Sequence, residues 1–367
     1  MTGAGYILRM DTGLAYSPEL DAYDLGPHHP LRPERVSGTV SLLRELGLIG
    51  PDGPLRSLPV RPATRTDLER AHDAGYIDAV MACSDGRTTD PARGLGTPDD
   101  PVFAGMHEAA ALVAGATLAA VESVTSGDFT RAFAPAGGLH HAQRDRASGF
   151  CVYNDIAVAI AAALERDPAL RIAYIDVDAH HGDGVQAAFY AEPRVLTVSV
   201  HESGRYLFPG TGFPRERGEG AGLGTAVNVP MPPYADDECY QLAFREAVAP
   251  AVRRFGPDLL VTQNGADANH ADPLTTLGLT LGGSAWLSHS LVELAEECCD
   301  GRIVATGGGG YAWEIVVPRA WAAVAAALAE VELPAGLLDD EPLPVTDTQK
   351  ADLLGQVRRV IAQLRAE

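Results

Sequence analysis

Basic residues are scarce in this chain. Its 28 Lys and Arg face 49 Asp and Glu, a formal net charge of −21. It therefore lacks the clustered cations that grip a phosphate backbone, and nucleic acid is not expected as a partner. An acidic balance suits a soluble enzyme or a basic substrate, and solubility alone accounts for it. Cysteines number five (Cys83, Cys151, Cys239, Cys298 and Cys299). They show no disulfide or zinc-knuckle spacing, which points to a reducing compartment and a cytoplasmic location. Long apolar runs are missing too. No stretch approaches the roughly 18 apolar residues of a membrane span, and Met1 to Asp11 lacks the basic-then-apolar order of a signal peptide, so no membrane is expected. The absence of repeats, low-complexity tracts and long charged runs argues against a linker between independent domains.

What is present is an ordinary globular balance, 46% hydrophobic and 21% charged over 367 residues, enough to bury a large core. Ile172 to Val177, Val195 to Val200, Leu259 to Gln263 and Ile303 to Thr306 are short apolar runs bounded by polar or Gly residues, as buried parallel strands are. Helical periodicity lies between them. After Ala235, Phe244, Val248, Ala251, Val252 and Phe255 fall on one face; Leu353, Val357, Val360, Ile361 and Leu364 repeat the spacing in a C-terminal helix near 347–366. The alternation predicts an α/β fold: a single three-layer, doubly wound domain over 1–367 with a mostly parallel central sheet. Ligands in such sheets bind beyond the carboxyl ends of the strands. Polar clusters follow the four runs, at Asp176 to Gly184, His201 to Gly212, Asn264 to Asp272 and Gly307 to Tyr311.

The densest of these is Tyr174 to Gly184, YIDVDAHHGDG. Alternation along a strand would project Asp176, Asp178 and His180 to one side if the strand persists that far, and a carboxylate with an imidazole two residues on can chelate a divalent ion. The bland reading is a loop that caps the following helix, a role open to Asp183; so many acidic and imidazole groups at a strand end favour a metal. Asp267, in QNGADANHADPL, supplies a further carboxylate. Two carboxylates and one imidazole leave a position open for water or substrate, and oxygen-rich ligation accepts zinc, iron(II) or manganese. His270 and Asp272 are alternatives, with loop hydrogen bonding preferred for His270. The tandem His140 and His141 can divide acid and base work, with Asp176 and Asp183 as partners that fix each ring's tautomer. In GGGGY at Gly307 to Tyr311, no Lys-Ser/Thr follows, so a Walker-type phosphate loop is not expected; Tyr311 reads instead as a hydroxyl placed to donate to an oxyanion.

Taken together, these motifs resemble the histone deacetylase superfamily, and within it the class I-like bacterial acetoin-utilisation deacetylases. Tyr16-Ser17-Pro18, HPLRPERV at His29 to Val36, GTPDDPVFAGMHEAA and GGGGY carry the resemblance in the family's order, across most of the chain. It implies an arginase/deacetylase-like fold, with Asp178, His180 and Asp267 as ligands of zinc or, alternatively, iron(II). It implies His140 and His141 as the catalytic pair with Asp176 and Asp183 behind them, and Tyr311 as the oxyanion donor. Gly149, Phe150 and Phe208 would wall an acyl-lysine tunnel, with Leu274 lining it. Asp99 would hold the substrate backbone at the rim, and Arg35 would line an internal channel for acetate. Potassium is implied near Asp176, Asp178, His180, Ser199 and Val200, and at a second site with Phe189 and Val195. Ala179 and Leu139 depart from the family's usual residues and bear on tunnel shape.

The implied activity is hydrolysis of acetyl-lysine in proteins, acetyl-CoA synthetase being the suggested substrate; the sequence sets no oligomeric state. Three rivals stand beside it. A ureohydrolase of the arginase type would need two metals and further Asp ligands, whereas His181 and Gly182 follow the D-A-H directly. An acetylpolyamine deacetylase usually carries an extra entrance loop, for which there is no obvious insertion. A silent acetyl-lysine reader would need no acid/base pair.

Overall fold

The computed structural model describes residues 12–366, so the reading of Met1 to Asp11 lies outside the described residues. Eight strands, β1 (Thr12–Leu14), β2 (Leu55–Ser57), β3 (Arg131–Ala134), β4 (Ile172–Asp176), β5 (Val195–Glu202), β6 (Ala226–Met231), β7 (Leu259–Gln263) and β8 (Ile303–Thr306), form one sheet in the order β2-β1-β3-β8-β7-β4-β5-β6. Every pairing between them is parallel. Helices flank the sheet: Met106–Thr125 packs on Asp155–Arg166, and Val317–Leu328 packs on both Leu281–Cys299 and Glu34–Glu45. The arrangement is the expected α/β architecture, with Val, Ile, Leu and Ala of the central strands buried on both faces.

β7 and β8 match the expected runs, β4 stops a residue short at Asp176, and β5 runs on through Glu202. β1, β2, β3 and β6 were not expected. The first two are three residues long, too short for periodicity. β3 opens on Arg131, a cation fully withdrawn from solvent whose guanidinium reaches Glu296, Glu330 and the carbonyl of Leu328. β6 contains Pro230, tolerated because β6 is the sheet's edge.

Two expectations need correction. The apolar face after Ala235 is not one regular helix: Asp237–Ala243 passes through a wider π turn at Phe244–Val248 into Ala249–Phe255. Pro250 supplies the reason, since its ring crowds the carbonyl four residues earlier and it has no N–H to give. Phe244, Val248, Ala251 and Val252 are buried regardless, and Phe255 half-buried. Second, Met106–Thr125 is long and apolar enough to cross a membrane by length and composition, but 72% of its most apolar window is buried inside the protein. Its apolarity serves the core. At Gly115 an added Cβ would lie 1.7 Å from the carbonyl oxygen of Arg61, so the helix passes against neighbouring backbone.

Candidate metal centre and acid/base site

β3, β8, β7 and β4 are consecutive in the centre of the sheet, and the polar clusters after them meet at their carboxyl ends. The strand alternation expected to aim Asp176, Asp178 and His180 together does not persist beyond Asp176. Carboxylates capture the backbone instead: Asp178 N–H donates to Asp176 Oδ1 (3.1 Å), His180 N–H to Asp178 Oδ1 (2.8 Å) and Ala179 N–H to Asp267 Oδ1 (2.9 Å). These local bonds turn the chain. Asp178 and His180 thereby face Asp267 from the end of β7, and Asp176 turns away towards His140.

Asp178, His180 and Asp267 each offer a ligand atom within 4.8 Å of the others. His180 Nδ1 lies 3.1 Å from Asp178 Oδ1 and 3.0 Å from Asp267 Oδ2. Both carboxylates are fully buried, and among the described residues no Lys or Arg forms an ion pair with either. Burial, then the neighbouring Asp178 charge, raises the Asp267 carboxyl above its usual range, whereas the histidines outweigh burial at Asp178 and hold it well below. Two buried acids and an imidazole converging without a fixed cation fit a divalent ion: two oxygens and one nitrogen, with coordination positions left over. Asp178 Oδ2 is oriented by Gln263 Nε2 and the Gly309 N–H, each at 2.7 Å.

His140 and His141 follow β3 through Gly137 and Gly138. Asp155 fixes that approach by accepting from Gly138 N (3.0 Å) and Leu139 N (2.7 Å). His140 Nδ1 meets Asp176 Oδ2 at 2.7 Å, and the Tyr174 hydroxyl donates to the same oxygen. His141 Nδ1 meets Asp183 Oδ1 at 2.7 Å, with Gln143 Nε2 on Asp183 Oδ2 at 2.8 Å. Asp183 thus starts its helix without capping it. With both Nδ1 atoms engaged, the Nε2 atoms face each other at 3.0 Å. Burial opposes charge on both rings. At His140 the carboxylates of Asp176 and Asp178 overcome it and lift the pKa to about 9; at His141 burial and the neighbouring His140 prevail over Asp183, and the pKa falls to about 4. A cationic ring thus lies against a neutral one.

Around this pair stands an aromatic collar. Phe208 packs edge-on against His141 (centroids 5.0 Å), Tyr311 lies at right angles to His180 (6.4 Å), and Phe150 packs against Tyr311 (5.7 Å). Gly149 has φ +56°, and a Cβ there would sit 2.5 Å from His141 and 2.9 Å from Phe208, so no side chain fits between them. Asp272 Oδ2 accepts the Tyr311 N–H at 2.7 Å. Arg35, beneath the glycine loop, donates to Gly308 O at 2.6 Å and lies over Trp321. Asp99 and Leu274 are exposed. Ser199 is registered beside Asp176, while Val195 opens β5 and Phe189 caps the C-terminus of the helix Asp183–Ala188. His270 faces Asp340. Sequence reasoning missed Gln263, Tyr174, Gln143 and Asp155. Gln263 did carry a signal, being the one amide closing an apolar strand, and the register sets it opposite Asp176.

Comparison with known proteins agrees with this geometry. The Histone deacetylase domain family matches residues 29–328. The acetoin utilization protein AcuC of Bacillus subtilis (strain 168) is 44% identical over 319 residues, covering 86% of this chain and 81% of that protein. AcuC of Staphylococcus aureus (strain MSSA476) is 38% identical over 330 residues, 89% and 84% of the two chains. The crystal structure of an HDAC homolog complexed with SAHA superposes with a TM-score of 0.82 at 30% identity, over 95% of this chain and 100% of that one.

Proposed function

The chain belongs to the histone deacetylase family, and from that premise we propose that it hydrolyses the acetyl amide of acetyl-lysine in proteins, releasing acetate. The observation that carries this reading is the buried Asp178, His180 and Asp267 triad beside two facing histidines, each backed by its own carboxylate.

Zinc, with iron(II) as the alternative, is the proposed ion. When bound it supplies Lewis acidity, polarising the amide carbonyl and lowering a water's pKa from its bulk value towards about 7. The protein's own groups do the rest. His141 has its Nδ1 held by Asp183, so its Nε2 accepts a proton from the attacking water and later returns it to the departing lysine amine. His140, held charged by Asp176, steadies negative charge on the reacting centre. The Tyr311 hydroxyl donates to the developing oxyanion. Phe150, Phe208, Gly149 and Leu274 line the passage for the acyl-lysine stem and exclude water. Asp99 receives the substrate backbone at the rim, and Arg35 borders the path by which acetate leaves. Potassium ions near Asp176, Asp178, His180, Ser199 and Val200, and near Phe189 and Val195, belong to the same proposal.

An acetylated metabolic enzyme such as acetyl-CoA synthetase, met in the cytoplasm, is the proposed substrate. The five free thiols suit a reducing compartment. Small acetylated polyamines are the second reading, which the acidic charge favours because those substrates are cationic. The test is acetate release from an acetyl-lysine peptide and from acetylspermidine, each with and without chelator. Chelator-sensitive release from the peptide is expected, and preference for acetylspermidine would shift the substrate class. Release that survives complete metal removal would overturn the mechanism.

A further inference from the structure

β5 ends on a carboxylate that the site described above does not use. Glu202 is 3% exposed, and among the described residues no Lys, Arg or His forms an ion pair with it. A carboxylate withdrawn from water in this way is tolerated only where donors meet it. Both of its oxygens are met, and by a single residue: Thr276 Oγ1 donates to Oε1 (2.6 Å) and the Thr276 N–H to Oε2 (2.9 Å). Thr276 is itself exposed, so these bonds tie a surface loop to the interior.

That loop leads back to the metal centre. The Thr275 hydroxyl donates to the Asp267 carbonyl, and Asp272, between the two, accepts the Tyr311 N–H. On the other side, the Glu202 N–H donates to the Ala179 carbonyl (2.9 Å), and Ala179 stands between Asp178 and His180. The Ala179 N–H donates in turn to Asp267 Oδ1 (2.9 Å). Glu202, Ala179, Asp267, Thr275 and Thr276 are thus joined in a closed ring of hydrogen bonds and backbone. Cutting that ring at Glu202 spares all three ligand side chains and both facing histidines.

We propose that Glu202 is a positioning residue: by closing this ring it holds Asp267 in register with Asp178 and His180, and so sets the affinity of the site for a divalent ion. This rests on the metal-dependent reading above. Glu202 acts through Thr276 on one arm and Ala179 on the other, not as a ligand. Groups that orient metal ligands from behind govern affinity by about 10- to 100-fold. Without the carboxylate, Thr276 keeps the Tyr234 N–H on its carbonyl (2.8 Å), so the loop is loosened and the fold survives.

Wild type, Glu202→Leu, Glu202→Gln, Thr276→Val and Ile172→Ala are titrated with zinc against a chromophoric chelator, and amide exchange across residues 267–276 is followed in the metal-free proteins. Glu202→Leu should bind zinc about tenfold or more weakly and lose protection at the Thr276 amide. In Glu202→Gln the oxygen can still accept the Thr276 N–H and the amide can donate to the hydroxyl, so affinity should stay within about threefold of wild type, well short of that loss. Thr276→Val removes the hydroxyl contact alone and should fall between the two. Ile172→Ala opens a cavity at the amino end of β4, the opposite end of the strand from the site, and should melt lower with unchanged affinity. A folded Glu202→Leu protein with wild-type affinity overturns the proposal, as does Glu202→Gln binding as weakly as the leucine variant or Ile172→Ala losing affinity equally. If Glu202→Leu does not fold, wild-type affinity in Thr276→Val overturns it. Should wild type bind no divalent ion, the metal-dependent reading fails instead; exchange then decides the ring, which falls if Glu202→Leu leaves the Thr276 amide as protected as before.

Discussion

Replacing Gln263 with leucine keeps volume near constant while deleting polar contacts that hold Asp178, a proposed metal ligand. Gln263 is wholly buried. Its Nε2 donates to Asp178 Oδ2 at 2.7 Å, and its Oε1 accepts the Gly265 N–H at 2.8 Å. The first bond is charge-assisted and contributes about 1.5–3 kcal/mol; leaving the Gly265 N–H unpartnered costs about 1–3 kcal/mol more. Asp178 keeps the Gly309 N–H on Oδ2 and the His180 N–H on Oδ1, so its carboxylate is loosened rather than freed. The expected loss of stability is about 3–5 kcal/mol, with metal affinity falling about 10- to 100-fold. Competition against a chromophoric chelator measures the affinity, and thermal unfolding with and without metal separates the two contributions. A Gln263→Leu protein that binds metal within about threefold of wild type, well short of that loss, and melts at the same temperature would refute the claim that this amide orients Asp178.

Tyr311→Phe should bind an acetyl-lysine peptide normally and turn it over roughly 100- to 1,000-fold more slowly; wild-type turnover in steady-state assays would remove the oxyanion role. His72 yields a pH prediction. Its Nδ1 donates to Gln143 O and its Nε2 accepts the Asn154 N–H, and burial lowers its pKa from 6.5 to about 4. A depressed folded-state pKa means its contribution is present above 6.5 and lost as pH falls through about 4, up to about 3 kcal/mol. Urea melts between pH 7 and 4 should therefore fall more steeply for wild type than for His72→Gln, and parallel profiles would contradict this.

The strands that were legible in the sequence are the central ones, because a strand buried on both faces must be apolar throughout. β7 and β8 were readable for that reason, whereas β1 and β2 are too short for any period to register, and β3 hides behind a buried arginine. Within the site, the residues named from sequence carry groups whose chemistry announces itself: tandem histidines, alternating acids, a tyrosine after glycines. Those that orient them do not. Gln263 and Asp155 act through bonds to partners 85 and 16 residues away, which no local pattern encodes. The turn at Asp178 was misread for a related cause: strand periodicity describes side-chain direction only while neighbouring strands hold the backbone, and here the carboxylates take over that task.

The strand order carries a consequence for how the protein is made. Asp178 and His180 leave the ribosome before Asp267, and β7 and β8, made later than β3 and β4, come to lie between them in the sheet. Until β7 is made, the acids and imidazoles after β4 lack Asp267. Binding of the proposed ion is therefore a property of the finished sheet, and a nascent chain stalled short of β7 holds only two of the three proposed ligands.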